Sequence, residues 1–389
     1  MASIGVIYPR LTAFGGAEAV CLTIVDALRT EHDVELITAT PPRTRELSTE
    51  LVGTEFTLNY RELDVDVTVP GRVTNLLGTV SGNNFDLVTK SLFIRRVRAI
   101  APEYDLLVSV RDDVSLPQPT LQYVHTPRLA LLAAGRRVSH PDRSEKSTVR
   151  RIYNHICTTL AGHNPPSVHN DVLLTNSDWT RSLTREFYGP DVDIRTVYPP
   201  VTLSEFNPVQ WDRRENGFVT IGRVCPSKRT LRTIKIVSEL RDRGFDTHLH
   251  VIGTVGDSPY ADSVYDVAAE RDFVSLEGEV KRATLVELLT THRYGIHGKE
   301  REPFGMSVVE MVGAGMIPFV PSGAGPAEIL DGEDALIYDS LEDAVTLAEA
   351  VLENPDVQAS LRSSLPDPNK NYGPDRFKTS VAEAVEELV

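Results

Sequence analysis

Short β-branched runs separated by longer stretches of helical periodicity recur along this chain, and that alternation is the pattern of parallel sheets covered by helices on both faces. The first unit is a βαβ: the strand Ile4-Gly5-Val6-Ile7-Tyr8, a loop ending in Gly15-Gly16, a helix from Ala17 to Leu28, and the strand Val34-Glu35-Leu36-Ile37. Further strands fit Leu106-Leu107-Val108, Leu121 to Val124, Val172-Leu173-Leu174 and Ile194 to Val197, while residues 40 to 100 have no clear period. A Pro-rich passage, Tyr198-Pro199-Pro200-Val201, and the polar stretch from Asn207 to Asn216 read as a linker. The alternation then restarts. Strands at Phe218 to Ile221 and His248 to Ile252 bracket a helix from Leu231 to Arg243, and Phe273 to Leu276, Tyr294 to His297 and Ile317 to Val320 follow. The reading is two Rossmann-like halves, over residues 1–205 and 206–370. An amphipathic C-terminal helix in 371–389 is expected to pack back across the linker.

Composition narrows the class. The chain has 389 residues, enough for two hydrophobic cores. A formal charge of −15 opposes non-specific attraction to nucleic acid or anionic membrane, so a nucleic-acid partner is not expected. Only 8 of the 40 basic residues are Lys, a bias produced either by salt adaptation or by a GC-rich genome. Cys21, Cys157 and Cys225 are odd in number and far apart, which suits a reducing compartment and small buried thiols rather than a CxxC metal site. No signal-like N-terminus and no run of 18 apolar residues is present, so a soluble cytoplasmic location is expected.

In open α/β sheets ligands bind beyond the carboxyl ends of the strands. Three loops at such ends carry unusual residues. Gly15-Gly16 precedes a helix whose free N–H groups can face an anion, although a Gly pair there is also a common turn device. After the restart strand, Gly222-Arg223-Val224-Cys225-Pro226-Ser227-Lys228 places two cations at the mouth of the second sheet, where they can hold a diphosphate or simply form a solvated basic turn. The third loop is Glu302-Pro303-Phe304-Gly305-Met306-Ser307-Val308-Val309-Glu310, followed by Gly313-Ala314-Gly315. A helix starting near Gly305 would aim its positive end at the same mouth, with Glu302 at the entrance and Glu310 two turns in. Such carboxylates can accept from sugar or ribose hydroxyls, or merely line a helix.

Taken together, Gly15-Gly16-Ala17-Glu18, Thr175-Asn176-Ser177, Tyr198-Pro199-Pro200-Val201, Gly222-Arg223 with Lys228, and the Glu302/Glu310 pair resemble the retaining glycosyltransferases of family 4. That family has the GT-B fold, an α/β architecture of two facing Rossmann-like domains with parallel sheets and an interdomain cleft. Tyr123-Val124-His125-Thr126-Pro127 and the run from Gly298 to Gly315 look most like the GDP-mannose-dependent enzymes that extend dolichol-linked oligosaccharides. The resemblance implies a hexose, of mannose or glucose type, moved from a UDP- or GDP-sugar to a glycan or lipid-linked acceptor. It implies no cofactor and no metal, and a place in glycoprotein or surface glycan assembly.

Residue by residue, the resemblance makes Arg223 and Lys228 the clamp on the donor diphosphate and puts Glu302 against the transferred sugar. His125 would face that sugar from the N-terminal domain. Phe304, Gly305 and Met306 would bind the donor through the helix N-terminus, Glu310 would hold the ribose, and Gly16 would lie near the phosphates or the acceptor. Val280, in Gly278-Glu279-Val280-Lys281, matches the nucleobase-side loop. Thr126-Pro127 departs from the lipid-linked subfamily, which commonly has an aromatic residue there, and this leaves the acceptor open.

Two other classes share these features. A GT-B epimerase or phosphorylase would use the same cleft, and a non-catalytic sugar-nucleotide-binding module would have lost part of the Arg223, Lys228, Glu302 and Glu310 set. Asp64-Val65-Asp66 and Asp191-Val192-Asp193 imitate a DxD metal motif in polar contexts, and His248 and His250 share one strand face without a third ligand near in sequence. Leu129 to Ala134 followed by Gly135-Arg136-Arg137 reads equally as a core helix or as a peripheral membrane contact on the cytoplasmic face.

Overall fold

The computed structural model describes residues 1–65 and 85–389, so Asp66 of the first DxD-like sequence lies outside the described residues. The chain divides into two compact units, 1–200 with 374–389, and 201–373. Among the described residues, each is built on one parallel sheet.

In the first unit the strands are β1 (Ser3–Ile7), β2 (Asp33–Thr38), β3 (Asn59–Glu62), β4 (Leu106–Asp112) and β5 (Thr120–Thr126). A small antiparallel pair, β6 (Arg136–Arg137) and β7 (His140–Ser144), precedes β8 (Val172–Thr175) and β9 (Asp193–Thr196). The sheet order is β3-β2-β1-β4-β5-β8-β9. Its helices are α1 (Gly16–Leu28), α2 (Thr44–Val52), α3 (Phe85–Ile100), α4 (Arg128–Ala133), α5 (Thr148–Leu160) and α6 (Asp178–Tyr188).

The second unit has β10 (Glu215–Ile221), β11 (His248–Ile252), β12 (Val274–Gly278), β13 (His292–Ile296), β14 (Ile317–Pro321) and β15 (Ile337–Tyr338) in the order β12-β11-β10-β13-β14-β15. Around them lie α7 (Thr230–Asp242), α8 (Pro259–Ala269), α9 (Arg282–Thr291), α10 (Met306–Gly313), α11 (Gly325–Ile329), α12 (Leu341–Glu353), α13 (Pro355–Ser364) and α14 (Pro368–Tyr372). The last helix, α15 (Pro374–Glu386), returns to the first unit.

Burial follows the pattern parallel sheets demand. Ile4 and Val6 of β1, and Val20, Leu22, Ile24 and Val25 of α1, are almost wholly buried. Helix α15 seals this layer. Its Phe377, Val381, Ala384 and Val385 join the same core, and Phe377 meets Tyr123 edge to face at 5.4 Å between centroids. Lys378 binds Asp26 of α1, and Arg195 of β9 pairs with Glu387, so polar contacts fix the register of the apolar face.

Two expectations are corrected and one open alternative is decided. The stretch Asn207 to Asn216 has mostly exposed residues but is anchored at one point rather than being a loose linker. Arg214 is buried there and donates to the carbonyls of Val209, His292, Ala314 and Gly315. The crossing between units falls just before it, where the Val201 N–H donates to the Tyr372 carbonyl at 2.8 Å. Leu129 to Leu132 of α4 are core residues, capped by the buried Asp113 carboxylate, which accepts from the N–H groups of Leu129 and Ala130. A membrane contact cannot use them. Cys21 and Cys157 are buried, but Cys225 is half-buried, its Sγ 3.2 Å from Ser227 Oγ.

Because Phe377 fills the core of a unit from which it is separated in sequence, Phe377→Ala is expected to destabilise the first unit by about 3–5 kcal/mol, read by chemical denaturation.

Candidate active site

The loops that leave the carboxyl ends of β10 and β13 meet in the second unit. After Ile221 the chain turns through Gly222 (φ +150°) into the 3₁₀ turn Pro226–Lys228, then through left-handed Arg229 (φ +55°) into α7. Gly253, which follows β11, lies so close that a Cβ there would sit 2.3 Å from the Gly222 carbonyl oxygen. Gly298, after β13, is pressed against Lys228 in the same way, its notional Cβ 2.7 Å from the Lys228 carbonyl oxygen. Glycine at 298 is thus what lets the two loops touch.

That contact assembles a charge cluster. Lys228 Nζ donates to Glu302 Oε2 at 2.7 Å, Lys299 Nζ donates to Oε1 at 2.7 Å, and His297 Nε2 lies 3.4 Å from Oε2. The Glu302 side chain is only 13% exposed. Burial alone would raise its pKa, but Lys228, His297 and Lys299 outweigh burial and hold it well below the usual carboxylate range. Burial also lowers the His297 pKa. Glu302 is therefore a permanent anion carrying two cations, and losing one to a ligand would leave the other. A second carboxylate, Glu300, binds Arg229 at 2.9 Å and Arg232 at 2.8 Å, which fixes the start of α7.

Glu302 is followed by Pro303, buried Phe304 and left-handed Gly305 (φ +107°), the residue before α10. The Gly325 N–H donates to the Glu302 carbonyl at 3.1 Å, and Phe304 packs on Tyr372 at 5.5 Å between centroids. No side chain caps α10, so the first-turn N–H groups of Met306 and Ser307 have no partner within the helix.

The sequence-derived residues separate into groups. Lys228 and Glu302 are in direct contact, with Phe304, Gly305 and Met306 contiguous to them. Arg223 is exposed and makes no ion pair among the described residues. Val280 is half-buried in the loop between β12 and α9, again at a carboxyl end. Glu310 is not left open. Its Oε1 is bound by Arg282, which also reaches Glu205 Oε2 at 3.2 Å and the Thr202 carbonyl at 3.2 Å, and burial raises the Glu310 pKa despite Arg282. Lys299 was legible at three residues before Glu302; Arg282 had no sequence signal.

His125 and Gly16 belong to the first unit. His125, next to last in β5, stands against Tyr123, and its Nε2 is buried with no hydrogen-bond partner among the described residues. Burial, then Arg111, pushes its pKa down to about 4. Gly16 opens α1, two residues before Glu18, which lines a cavity of about 270 Å³ with Tyr8, Lys90, Ser109, Arg111 and Asp112. Arg111 has φ +98° beside a register shift at Arg111/Asp112, the kind of bulge that re-aims a side chain. Apart from Glu18, in Gly15-Gly16-Ala17-Glu18, none of these cavity residues carries a site signal in the sequence. Of the second DxD-like pair, Asp193 is engaged by Arg195.

Two Rossmann-like units, with cations and a buried carboxylate at the strand ends of the second, define the GT-B fold class. The Anabaena protein HepE, crystallised with UDP and glucose, superposes with a TM-score of 0.69 at 13% identity, covering 100% of both chains. Sucrose-phosphate synthase from Thermosynechococcus elongatus gives 0.68 at 13% identity, covering 100% of this chain and 99% of that one. Residues 203–364, most of this second unit, match the family profile Glycosyl transferases group 1. In sequence the chain is similar to the GDP-Man:Man(3)GlcNAc(2)-PP-Dol alpha-1,2-mannosyltransferases of Neurospora crassa, at 26% identity over 54% of this chain and 44% of the relative, and of Dictyostelium discoideum, at 25% over 56% and 47%. The matched stretch is thus about half the length of these relatives.

The low His125 pKa has a thermodynamic consequence. Between about pH 6.5 and 4 the unfolded chain binds a proton that the folded state refuses, so stability is full above 6.5 and falls as pH drops toward 4. His125→Gln is expected to flatten this part of the pH–stability curve by about 2–3 kcal/mol, measured by denaturation at pH 7 and pH 4.5.

Proposed function

We propose that the protein is a retaining, metal-independent glycosyltransferase that moves mannose from GDP-mannose to a lipid-linked glycan. The Lys228–Glu302–Lys299 cluster at the N-terminus of α10 carries this reading, and the mannosyltransferase relatives support the choice of donor. Lys228 turns from Glu302 to the donor diphosphate, joined by Arg223, while Lys299 keeps the carboxylate neutralised. Charge grows on the departing phosphate as the C1–O bond breaks, and fixed cations with the Met306 and Ser307 N–H groups stabilise that state more than the ground state. The acceptor oxygen forms the new bond to C1 on the same face, and the departing phosphate takes its proton. Glu302 accepts from the sugar hydroxyls, and Glu310 uses Oε2 for the ribose while Arg282 holds Oε1. In the first unit, the Glu18–Arg111–Asp112 cavity offers hydrogen-bonding groups to an acceptor sugar.

Lys228→Ala and Arg223→Ala are each expected to lower kcat by about 100-fold or more in a product-mass screen of GDP- and UDP-sugars against lipid-linked and soluble acceptors. Near wild-type turnover in both would end the clamp assignment. Transfer from UDP-glucose alone would end the mannose assignment, and donor hydrolysis or epimerisation without an acceptor would favour the epimerase reading.

A lipid-linked acceptor needs a membrane surface, and α5 presents one. Val149, Ile152 and Ile156 are 56, 57 and 52% exposed and lie on one helical face. Residues 128–151 hold seven Arg or Lys (128, 136, 137, 143, 146, 150, 151) against Asp142 and Glu145, a local excess of five positive charges in a chain of net charge −15. An apolar stripe beside such a segment suits an anionic bilayer. No helix among the described residues is long and apolar enough to cross a membrane. The protein is expected to float with phosphatidylglycerol vesicles at low salt, and the triple Val149/Ile152/Ile156→Ser variant to stay behind. Failure of the wild type to float removes the surface-binding part of this reading.

A further inference from the structure

At the amino-terminal edge of the second sheet, the edge opposite the charge cluster, three imidazoles converge. His248 is the first residue of β11, His250 lies on the same face two residues on, and His292 is the first residue of β13. Strand β10 runs between those two strands, with Gly217 opposite His248 and Glu215 opposite His292. The His248 and His292 Nε2 atoms are 3.0 Å apart, Glu215 Oε2 lies 3.6 Å from the first and 3.9 Å from the second, and one ring nitrogen from each histidine lies within 4.8 Å of the others. The rings stand nearly perpendicular to one another, at 75 to 85°.

We propose that His248, His250, His292 and Glu215 form a structural binding site for a divalent transition metal, with zinc the expected ion, that ties β10, β11 and β13 together. The donor set is right for zinc, since three imidazoles and a carboxylate make a tetrahedral N₃O site whose ligand atoms stand about 3.3 Å apart when the bonds are about 2.0–2.1 Å. The three imidazole nitrogens need only small side-chain rotations to reach it, and Glu215, with Oε2 3.6 and 3.9 Å from two of them, stands beside the fourth position. The outer contacts are those that hold metal-binding histidines. His250 Nδ1 is 2.7 Å from Glu277 Oε1, and His292 Nδ1 is 2.8 Å from the Leu288 carbonyl, so both rings protonate at Nδ1 and keep the Nε2 lone pair for an ion. On metal binding, His248 shifts its proton from Nε2 to Nδ1 and stays neutral.

Space has been kept for the convergence. A Cβ on residue 217 would lie 2.3 Å from His248 Nε2, and glycine at that strand position otherwise weakens pairing for no return. Entry is open through Glu215, 60% exposed, and His248, 31% exposed. Burial, then His250, lowers the pKa of both His248 and His292. Arg241 and Asp246 also face His248 with opposite charges. The seven-residue strand β10 puts this edge roughly 20 Å from the donor loops, so the site and the proposed transfer reaction can be tested apart.

The test uses full-length protein without a polyhistidine tag, stripped with chelator and then given zinc or cobalt. One equivalent of zinc should survive desalting, Tm should rise with added zinc, and cobalt should give the intense visible bands of a tetrahedral complex. His248→Gln and Gly217→Ala should lose the bound metal and the bands, and Glu277→Gln should weaken binding by about 10- to 100-fold while leaving the fold intact. Absence of stoichiometric zinc and of cobalt bands in the wild type at low micromolar metal overturns the proposal, as does unchanged binding in His248→Gln. Should a histidine variant fail to fold, the wild-type cobalt spectrum and Glu277→Gln decide alone.

Discussion

A parallel sheet covered by helices on both faces has no room for unpaired polar groups on those faces, and the organisation of this protein follows from that exclusion. Strands such as β1 and β14 are buried along nearly their whole length, so chemistry-bearing side chains stand where the sheet ends. At the carboxyl ends of β10 and β13, backbone N–H groups and loops converge, and there Glu302 gathers Lys228, Lys299 and His297. At the amino ends of β10, β11 and β13, the same exclusion gathers Glu215, His248 and His292. Both edges use glycine to bring groups together, Gly298 at one and Gly217 at the other.

The charge cluster shows how a buried ion is tolerated. A carboxylate out of water is costly unless it is paired and fully bonded. Glu302 meets that condition with one lysine on each oxygen, and the arrangement is also what makes it adaptable, since one lysine can turn to a phosphate without leaving the anion alone. The loop that carries Glu302 is braced elsewhere, by the Gly325 N–H on its carbonyl and by Tyr372 on Phe304. Tyr372 in turn binds Val201 at the point where the chain passes between units, so the position of the site loop and the path of the crossing share residues.

Much of this was legible in the chain. The strands from β1 to β14 that the β-branched runs marked fall within a residue or two of their structural bounds, apart from the longer reach of β4 and the earlier start of β10, because a run buried on both faces has an unmistakable composition. Lys228, Glu302 and the Gly305 start of α10 were legible because glycine, charge and helix onset coincide within a few positions. What stayed open or went wrong has a common cause. Leu129 to Leu132 form an apolar run, and nothing local distinguishes core from membrane; Asp113, 16 residues away from Leu129, decides it. The polar stretch before Glu215 looks like a linker because Arg214 is charged, yet four carbonyls from separate segments bury it.

What the sequence by itself determined is therefore the order of elements, the two repeats of the α/β pattern and the identity of residues at strand ends, all of which depend on neighbours within a few positions. Only tertiary structure decided the pairings: Arg282 with Glu310, α15 with α1, Lys228 with Glu302 across 74 residues, and a third histidine 42 positions after His250 completing a cluster. The physical reason is that hydrophobic periodicity is written along the chain, whereas hydrogen bonds and ion pairs are made across it, by whichever strands the sheet order places side by side.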